Sequence, residues 1–313
     1  MFKNSLYYAK ILLFGEYGII EDSMGLSIPY HFFKGAFAFY ENPDAIQIKS
    51  NHDISTFYNY LITLKDQSDL PCNMQLEKLR RDINQGLFFD SSIPQGFGVG
   101  SSGALVAGIY GQYAENPITQ ETVMKGNNLS DLKQILSKLE SFFHGKSSGL
   151  DPLICYLNLP ILIKGKDNLG TVGIPSENSA GKGAIFLLNS GTPGKTQNMV
   201  SIFLNRLKEQ GFRNMVKTRL NKRNEACVQS FLTGDSNQLF HNMKGLSQLV
   251  FDNFRQMIPD HFEDIWVQGL RTDAYYLKLC GSGGGGFILG FTKDLAATES
   301  LLKDHKLQVI YKL

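Results

Sequence analysis

The chain has 313 residues, 42% of them hydrophobic, and its 31 basic and 29 acidic side chains leave a formal net charge of +2. That length can bury a large core and is more comfortable as two domains than as one. Charges of both signs are spread along the chain, which removes the electrostatic case for nucleic acid or an anionic membrane as partner; any attraction for anions must be local.

The first apolar run, Ile11 to Phe14, is bracketed by Lys10 and Glu16. It is too short for a signal sequence or a membrane span. Cysteines 72, 155, 227 and 280 lie far apart with no CxxC pair, which fits free thiols in a reducing, cytoplasmic compartment better than zinc or disulfides.

In chain order, Tyr7 to Phe14 reads as a strand and Ala45 to Lys49 as an alternating, strand-like segment. Residues 94–104, PQGFGVGSSGA, then form a glycine-rich loop running into an apolar helix that starts near Ser102. Gly96, Gly98 and Gly100 leave backbone N–H groups unshielded, and the helix adds its own unpaired donors and positive dipole end. An anion, most simply a nucleotide, belongs there. Leu105, Ile109 and Tyr113 recur on one helical face, and Asn116-Pro117 ends that helix.

Leu132, Ile135, Leu136, Leu139, Phe142 and Phe143 mark the clearest helix, with Ser130 as N-cap and Gly145 as stop. Asp151-Pro152 reads as a cap followed by a first-turn proline. Residues 166–182 turn to Gly, Ser, Asn and Lys, the composition of a domain boundary. Beyond it come a strand at Ala184 to Asn189, long helices to about residue 270 and strands at Tyr275 to Cys280 and Phe287 to Phe291. A helix at Leu295 to Asp304 and a strand at Gln308 to Tyr311 close the chain. Apart from the helical insertion, this is the βαββαβ order of a ferredoxin-like domain.

Three glycine motifs compete for attention. Residues 98–103 match GxGxxG, but Ser91, Ser92 and Pro94 interrupt the strand that should feed a dinucleotide site, and residues 281–286 match the same expression. The segment SGTPGKT at 190–196 fails as a phosphate-binding P-loop because Asn189 stands where glycine is required. Gly281 to Gly286 holds five glycines in six positions between two apolar strands. A plain hairpin needs one or two, so the excess implies that backbone passes very close to something.

Taken together and in order, AKILLFGEYGII at 9–20, PQGFGVGSSGA at 94–104 and KLCGSGGGGF at 278–287 resemble the GHMP kinase family, and within it the mevalonate kinases most. LESFFHGKSSGLD at 139–151 and NSGTPGKTQNMV at 189–200 extend the likeness over most of the chain. The resemblance implies a two-domain α+β fold: residues 1–180 similar to domain 2 of ribosomal protein S5, with the ATP loop and catalytic residues, and residues 181–313 ferredoxin-like. It implies a kinase using ATP and Mg2+ to phosphorylate a small-molecule hydroxyl, in the first place mevalonate, giving 5-phosphomevalonate. Phosphomevalonate or a sugar as acceptor, or a nucleotide-binding regulator without turnover, are the alternatives.

Carried over by position, the resemblance assigns the ATP phosphates to Gly96, Gly98, Gly100, Ser101, Ser102 and Gly103, and magnesium to Ser102 and Glu140. Asp151 becomes the general base, and Lys10 the cation that reaches the aspartate and the phosphates. Glu16, Tyr17, Thr196, Gly283 and Gly284 fall to the substrate side. Read without the family, Ser102 could equally cap the helix, Glu140 could be a solvated helix edge, Asp151 a cap before Pro152 and Lys10 an exposed strand-edge lysine. Two departures bear on the acceptor: Tyr17 stands where mevalonate kinases usually carry histidine, and Tyr8-Ala9 replaces the usual Pro-Gly. Gly103 in place of the usual alanine reads as a loss of helix propensity of about 1 kcal/mol. A homodimer stays open.

Overall fold

A computed structural model of the chain describes residues 5–126, 128–165, 168–194 and 196–313. The strands are β1 (Tyr7–Phe14), β2 (Gly25–Phe39), β3 (Leu87–Ser91), β4 (Ile161–Gly165), β5 (Asn168–Thr171), β6 (Ala184–Asn189), β7 (Tyr275–Leu279), β8 (Phe287–Thr292) and β9 (Leu307–Lys312). The helices of the first half are α1 (Ala45–Asp66), α2 (Leu76–Asn84), α3 (Ser101–Tyr113), α4 (Gln120–Met124), α5 (Leu129–His144) and α6 (Leu150–Leu157). Those of the second are α7 (Thr196–Arg206), α8 (Gln210–Met215), α9 (Asn221–Leu232), α10 (Ser236–Asn253), α11 (Glu263–Thr272) and α12 (Leu295–Leu301). Among the described residues, no helix is long and apolar enough to cross a membrane.

The contacts divide the chain into two compact units. One comprises the chain up to Lys10, Pro29–Pro94 and Gly100–Leu159; the other comprises Ile11–Ile28, Gln95–Val99 and Pro160–Leu313. The chain therefore changes unit within β1, within β2 and inside the glycine loop.

In the first unit, β3 pairs antiparallel with the end of β2, Phe37 opposite Phe89. Helix α1 is pinned to α2 and β3 by side-chain bonds rather than packing alone: Asn51 Nδ2 donates to Ile83 O of α2 at 3.0 Å and to Leu87 O of β3 at 2.7 Å. Ile54, Phe57, Leu61 and Leu64 form its buried stripe, and Phe57 meets Phe142 and Phe143 of α5. The alternating segment Ala45 to Lys49 is thus the first turn of a helix and not a strand. Asp44 Oδ1 accepts from Gln47 N at 2.8 Å while Gln47 Oε1 accepts from Asp44 N at 3.0 Å, a reciprocal cap that sets the helix start. The alternation carries no burial, since Ile46 is 79% exposed.

Helix α5 ends at His144 before Gly145, as its pattern predicts, but begins one residue before Ser130, with Asn128 in a left-handed cap conformation. Asp151 lies inside α6, whose cap is Gly149 at φ +73°.

In the second unit, β4 pairs antiparallel with Gly25 to Ser27 of β2 and with β5. The larger sheet runs β7-β8-β6-β9, antiparallel throughout. In chain order that is strand 2-3-1-4, the ferredoxin-like arrangement expected from the element order. Phe14 packs between Phe231 and Phe291 in its core. Trp266 is fully buried and donates Nε1–H to Ser247 O at 3.2 Å, so its one polar atom is satisfied. All four cysteines are free thiols.

Candidate active site

Strand β1 delivers the first functional side chain of the first unit. Its lysine is buried rather than exposed: Lys10 is 4% exposed and its Nζ stands 2.9 Å from Asp151 Oδ1. An ammonium without a partner in such a place would cost several kcal/mol, so Asp151 supplies the counter-charge. The aspartate side chain keeps 39% of its own surface open, leaving its carboxylate accessible to a reactant.

The lysine stem runs beneath the glycine loop. A Cβ on Gly100 would lie 2.9 Å from Lys10 Cγ, and Gly100 itself is left-handed at φ +85° as the N-cap of α3. No side chain caps this helix. The Ser102 hydroxyl points instead toward α5, at 3.4 Å from Glu140 Oε1 and 3.1 Å from His144 Nε2. The first-turn N–H groups of α3 have no acceptor within the helix and are the natural anion donors.

Glu140 is 3% exposed, and so belongs to the interior rather than to a solvated edge. Ser147 Oγ donates to its Oε2. Burial above all, and next the charge of Asp151, push its carboxyl up to about 8, against the opposing pull of Ser147, Lys10 and Ser102. Burial likewise lowers the His144 imidazole, helped by the Lys10 charge and opposed by Asp151. Two carboxyls share one buried ammonium, and a divalent cation would relieve that imbalance. The donors offered, a hydroxyl and a carboxylate, are hard oxygens suited to Mg2+. Among the described residues no three His, Cys, Asp or Glu side chains converge as a metal-holding group.

The remaining predicted residues lie in the second unit. Glu16 forms a buried ion pair with Lys278, 7% and 4% exposed. Tyr17, left-handed at φ 62°, lies against the rings of Phe203 and Phe254 and donates its hydroxyl to Ser282 O. Burial, and then the Glu16 charge, raise that phenol. Thr196 opens α7, and its side chain lies outside the described residues.

The crowding implied by the glycines is real, and what approaches is largely the protein's own backbone. A Cβ on Gly98 would lie 2.4 Å from Cys280 O, on Gly286 2.6 Å from Phe97 Cα, and on Gly283 2.6 Å from Met257 O. Gly284 would meet Met199 at 2.9 Å, and Gly96 would meet Pro193 at 2.7 Å. The loops at 96–98, 192–194 and 281–286 are therefore stitched together, with Gly194 N donating to Gly96 O at 2.8 Å and Gly286 N to Thr192 O at 2.7 Å.

Sequence reasoning passed over His144, Ser147 and Lys278. The first two stand inside the quoted 139–151 motif; the third opens the quoted 278–287 motif and is an isolated lysine in the apolar run YYLKL.

At Gly103, helix propensity and packing give opposite signs. A Cβ there would come within 2.8 Å of Asp151 C and Pro152 N, so Gly103→Ala should lower unfolding free energy by about 1–3 kcal/mol despite the gain in propensity. Urea denaturation reads this, and a stabilised variant contradicts it. For Glu140, the folded carboxyl titrates near 8 against an ordinary 4.5. As pH rises above the unfolded value, the unfolded chain releases a proton that the folded chain keeps, so Glu140 costs stability progressively up to its folded value. In EDTA, Glu140→Gln should therefore gain on the parent chain between pH 5 and 8, by on the order of 2–4 kcal/mol in all. A pH-independent difference contradicts this.

Residues 72–158 match the family model described as the GHMP kinases N terminal domain. No curated protein matches the chain. Among solved structures, L. major mevalonate kinase in complex with R-mevalonate has a TM-score of 0.65 at 16% identity, covering 100% of this chain and 97% of its own. Streptococcus pneumoniae phosphomevalonate kinase has a TM-score of 0.60 at 14% identity, covering 99% and 98%. Lactococcus lactis galactokinase complexed with galactose has 0.60 at 12%, covering 98% and 93%. Residues 72–158 thus match the model of the GHMP kinases N-terminal domain, and over its whole length the chain shares the fold of the solved mevalonate kinase, phosphomevalonate kinase and galactokinase structures.

Proposed function

We propose that the protein is an ATP-dependent kinase that transfers the γ-phosphoryl group of ATP to the hydroxyl of mevalonate, giving 5-phosphomevalonate. The observation that carries this reading is the pairing of buried Lys10 with open-faced Asp151, in the same unit as Ser102 and Glu140. A protein that only bound nucleotide would have little need for the aspartate. Further support comes from the fold likeness to L. major mevalonate kinase with R-mevalonate and to Streptococcus pneumoniae phosphomevalonate kinase in complex with phosphomevalonate and AMPPNP.

In this reading residues 1–180 and 181–313 are the two GHMP kinase domains. Backbone donors from Gly96 to Gly103, with the hydroxyl of Ser101, hold the ATP phosphates. Asp151 orients the acceptor hydroxyl and takes its proton as oxygen attacks phosphorus. Lys10 holds Asp151 in place and offsets charge on the transferring group. Ser102 and Glu140 would hold Mg2+, whose charge neutralises that of the β- and γ-phosphates. Glu16, Tyr17, Thr196, Gly283 and Gly284 are assigned to the substrate side, and the free thiols suit the cytoplasm.

Tyr17 favours a second reading, a different acceptor within the family. Its hydroxyl is spent on Ser282 O, so it does not offer the acceptor the group that a histidine would. ADP release from ATP and Mg2+ with mevalonate, phosphomevalonate, galactose and homoserine distinguishes the two. Turnover is expected with mevalonate; turnover with another acceptor alone selects the second reading, and ATP binding without turnover on any acceptor contradicts both.

A further inference from the structure

Helices α9 and α10, both in the second unit, enclose a groove of about 590 Å3 whose walls include Arg219, Lys222, Arg223, Asn242, Gln248 and Asp252. Its charge is one-sided: three cations face one carboxylate. Neighbouring cations on the same stretch of chain are neutralised, Lys217 by Glu21, Lys244 by Asp273 and Arg255 by Glu263. Arg219, Lys222 and Arg223 enter no ion pair among the described residues.

The backbone gathers these cations. Residues Val216–Leu220 form a π-helical turn between α8 and α9, a local insertion that rotates the helix face and often accompanies a functional site. From there Arg219, Lys222, Arg223 and Ala226 follow i, i+3, i+4, i+7 and share one face.

Across the groove, the Arg223 guanidinium lies over Gly245, where a Cβ would come within 3.0 Å of Nε and 3.1 Å of Cζ. Its Nη1 donates to Asn242 Oδ1 at 3.4 Å, and Asn242 in turn donates to Ser230 Oγ at 3.2 Å. The fork is thus held in one orientation before any ligand arrives. The lone carboxylate, Asp252, is occupied by Gln248 Nε2 at 2.8 Å.

We propose that this groove is a second anion site that binds a small molecule carrying a phosphate or diphosphate group. The excess of two positive charges matches a phosphate dianion, and a planar, pre-oriented guanidinium suits its oxygens. The volume exceeds that of a bare phosphate and falls in the range of small-molecule sites. Ala226 and Leu249 supply apolar wall for the organic part.

Inorganic pyrophosphate is the probe, titrated calorimetrically into the full chain, with circular dichroism confirming the fold of every variant. Arg219→Gln/Lys222→Gln/Arg223→Gln should weaken its binding at least tenfold, and Arg223→Lys, which keeps charge but loses the fork, by a smaller factor. Ser102→Ala, in the other unit, serves as a control and should leave this binding event in place. Absence of pyrophosphate binding up to millimolar concentration, binding indifferent to the triple substitution, or loss on Ser102→Ala alone would each overturn the proposal. If the triple variant does not fold, Arg223→Lys alone decides: unchanged affinity overturns the site.

Discussion

The candidate site depends on one electrostatic constraint, a lysine that strand β1 carries into the protein interior. Lys10 is nearly inaccessible, and an ammonium in that position is tolerated only beside a carboxylate with good geometry. Meeting that demand fixes where α6 must begin. Gly149 allows the turn before it, since a Cβ there would strike Lys133 O at 2.4 Å. Gly103 lets α3 approach the Asp151 backbone, and Gly100 lets the loop ride over the lysine stem. Three absent side chains therefore make room for one ion pair. The second carboxyl, Glu140, inherits an environment already holding Asp151, which together with its burial explains why it resists ionisation.

The second unit solves a similar problem with the same means. Lys278 in β7 is buried and pairs with Glu16, just beyond β1. Its glycines serve a different purpose from those around Lys10: they let three loops pass at near-contact distance and bond through their backbones. Loops packed this way leave little room for side chains at these glycines, because an added Cβ would press mainly on backbone rather than on a flexible side-chain tip.

Much of this was legible in the sequence, and unevenly so. The ferredoxin-like strand order followed from apolar runs and their lengths, because β6, β7 and β8 are buried along nearly their whole length. Ala45 to Lys49 misled because two-residue alternation over five positions is also compatible with a capped helix start, and the capping pair Asp44 and Gln47 outweighed it. Glu140 is the instructive case. Local periodicity places it beside the buried stripe of α5, and only the spacing to Asp151 in a known family marked it; its burial is a tertiary fact that helix periodicity does not contain. Lys278 and the π turn at Val216–Leu220 were silent for the same reason, since their partners lie hundreds of residues away in the first case and in backbone geometry in the second. Gly103 shows how propensity reasoning fails where a helix face touches another backbone.

The claim that this cluster performs phosphoryl transfer rests on Asp151 as the group that receives the hydroxyl proton while Lys10 holds it. Its most direct test is Asp151→Asn, which keeps size and shape while removing basicity. ATP affinity and steady-state turnover should be measured on the same preparation. Affinity is expected to stay within about twofold while turnover falls by roughly 10²–10⁴. Turnover close to that of the parent chain, with ATP still bound, would contradict the account.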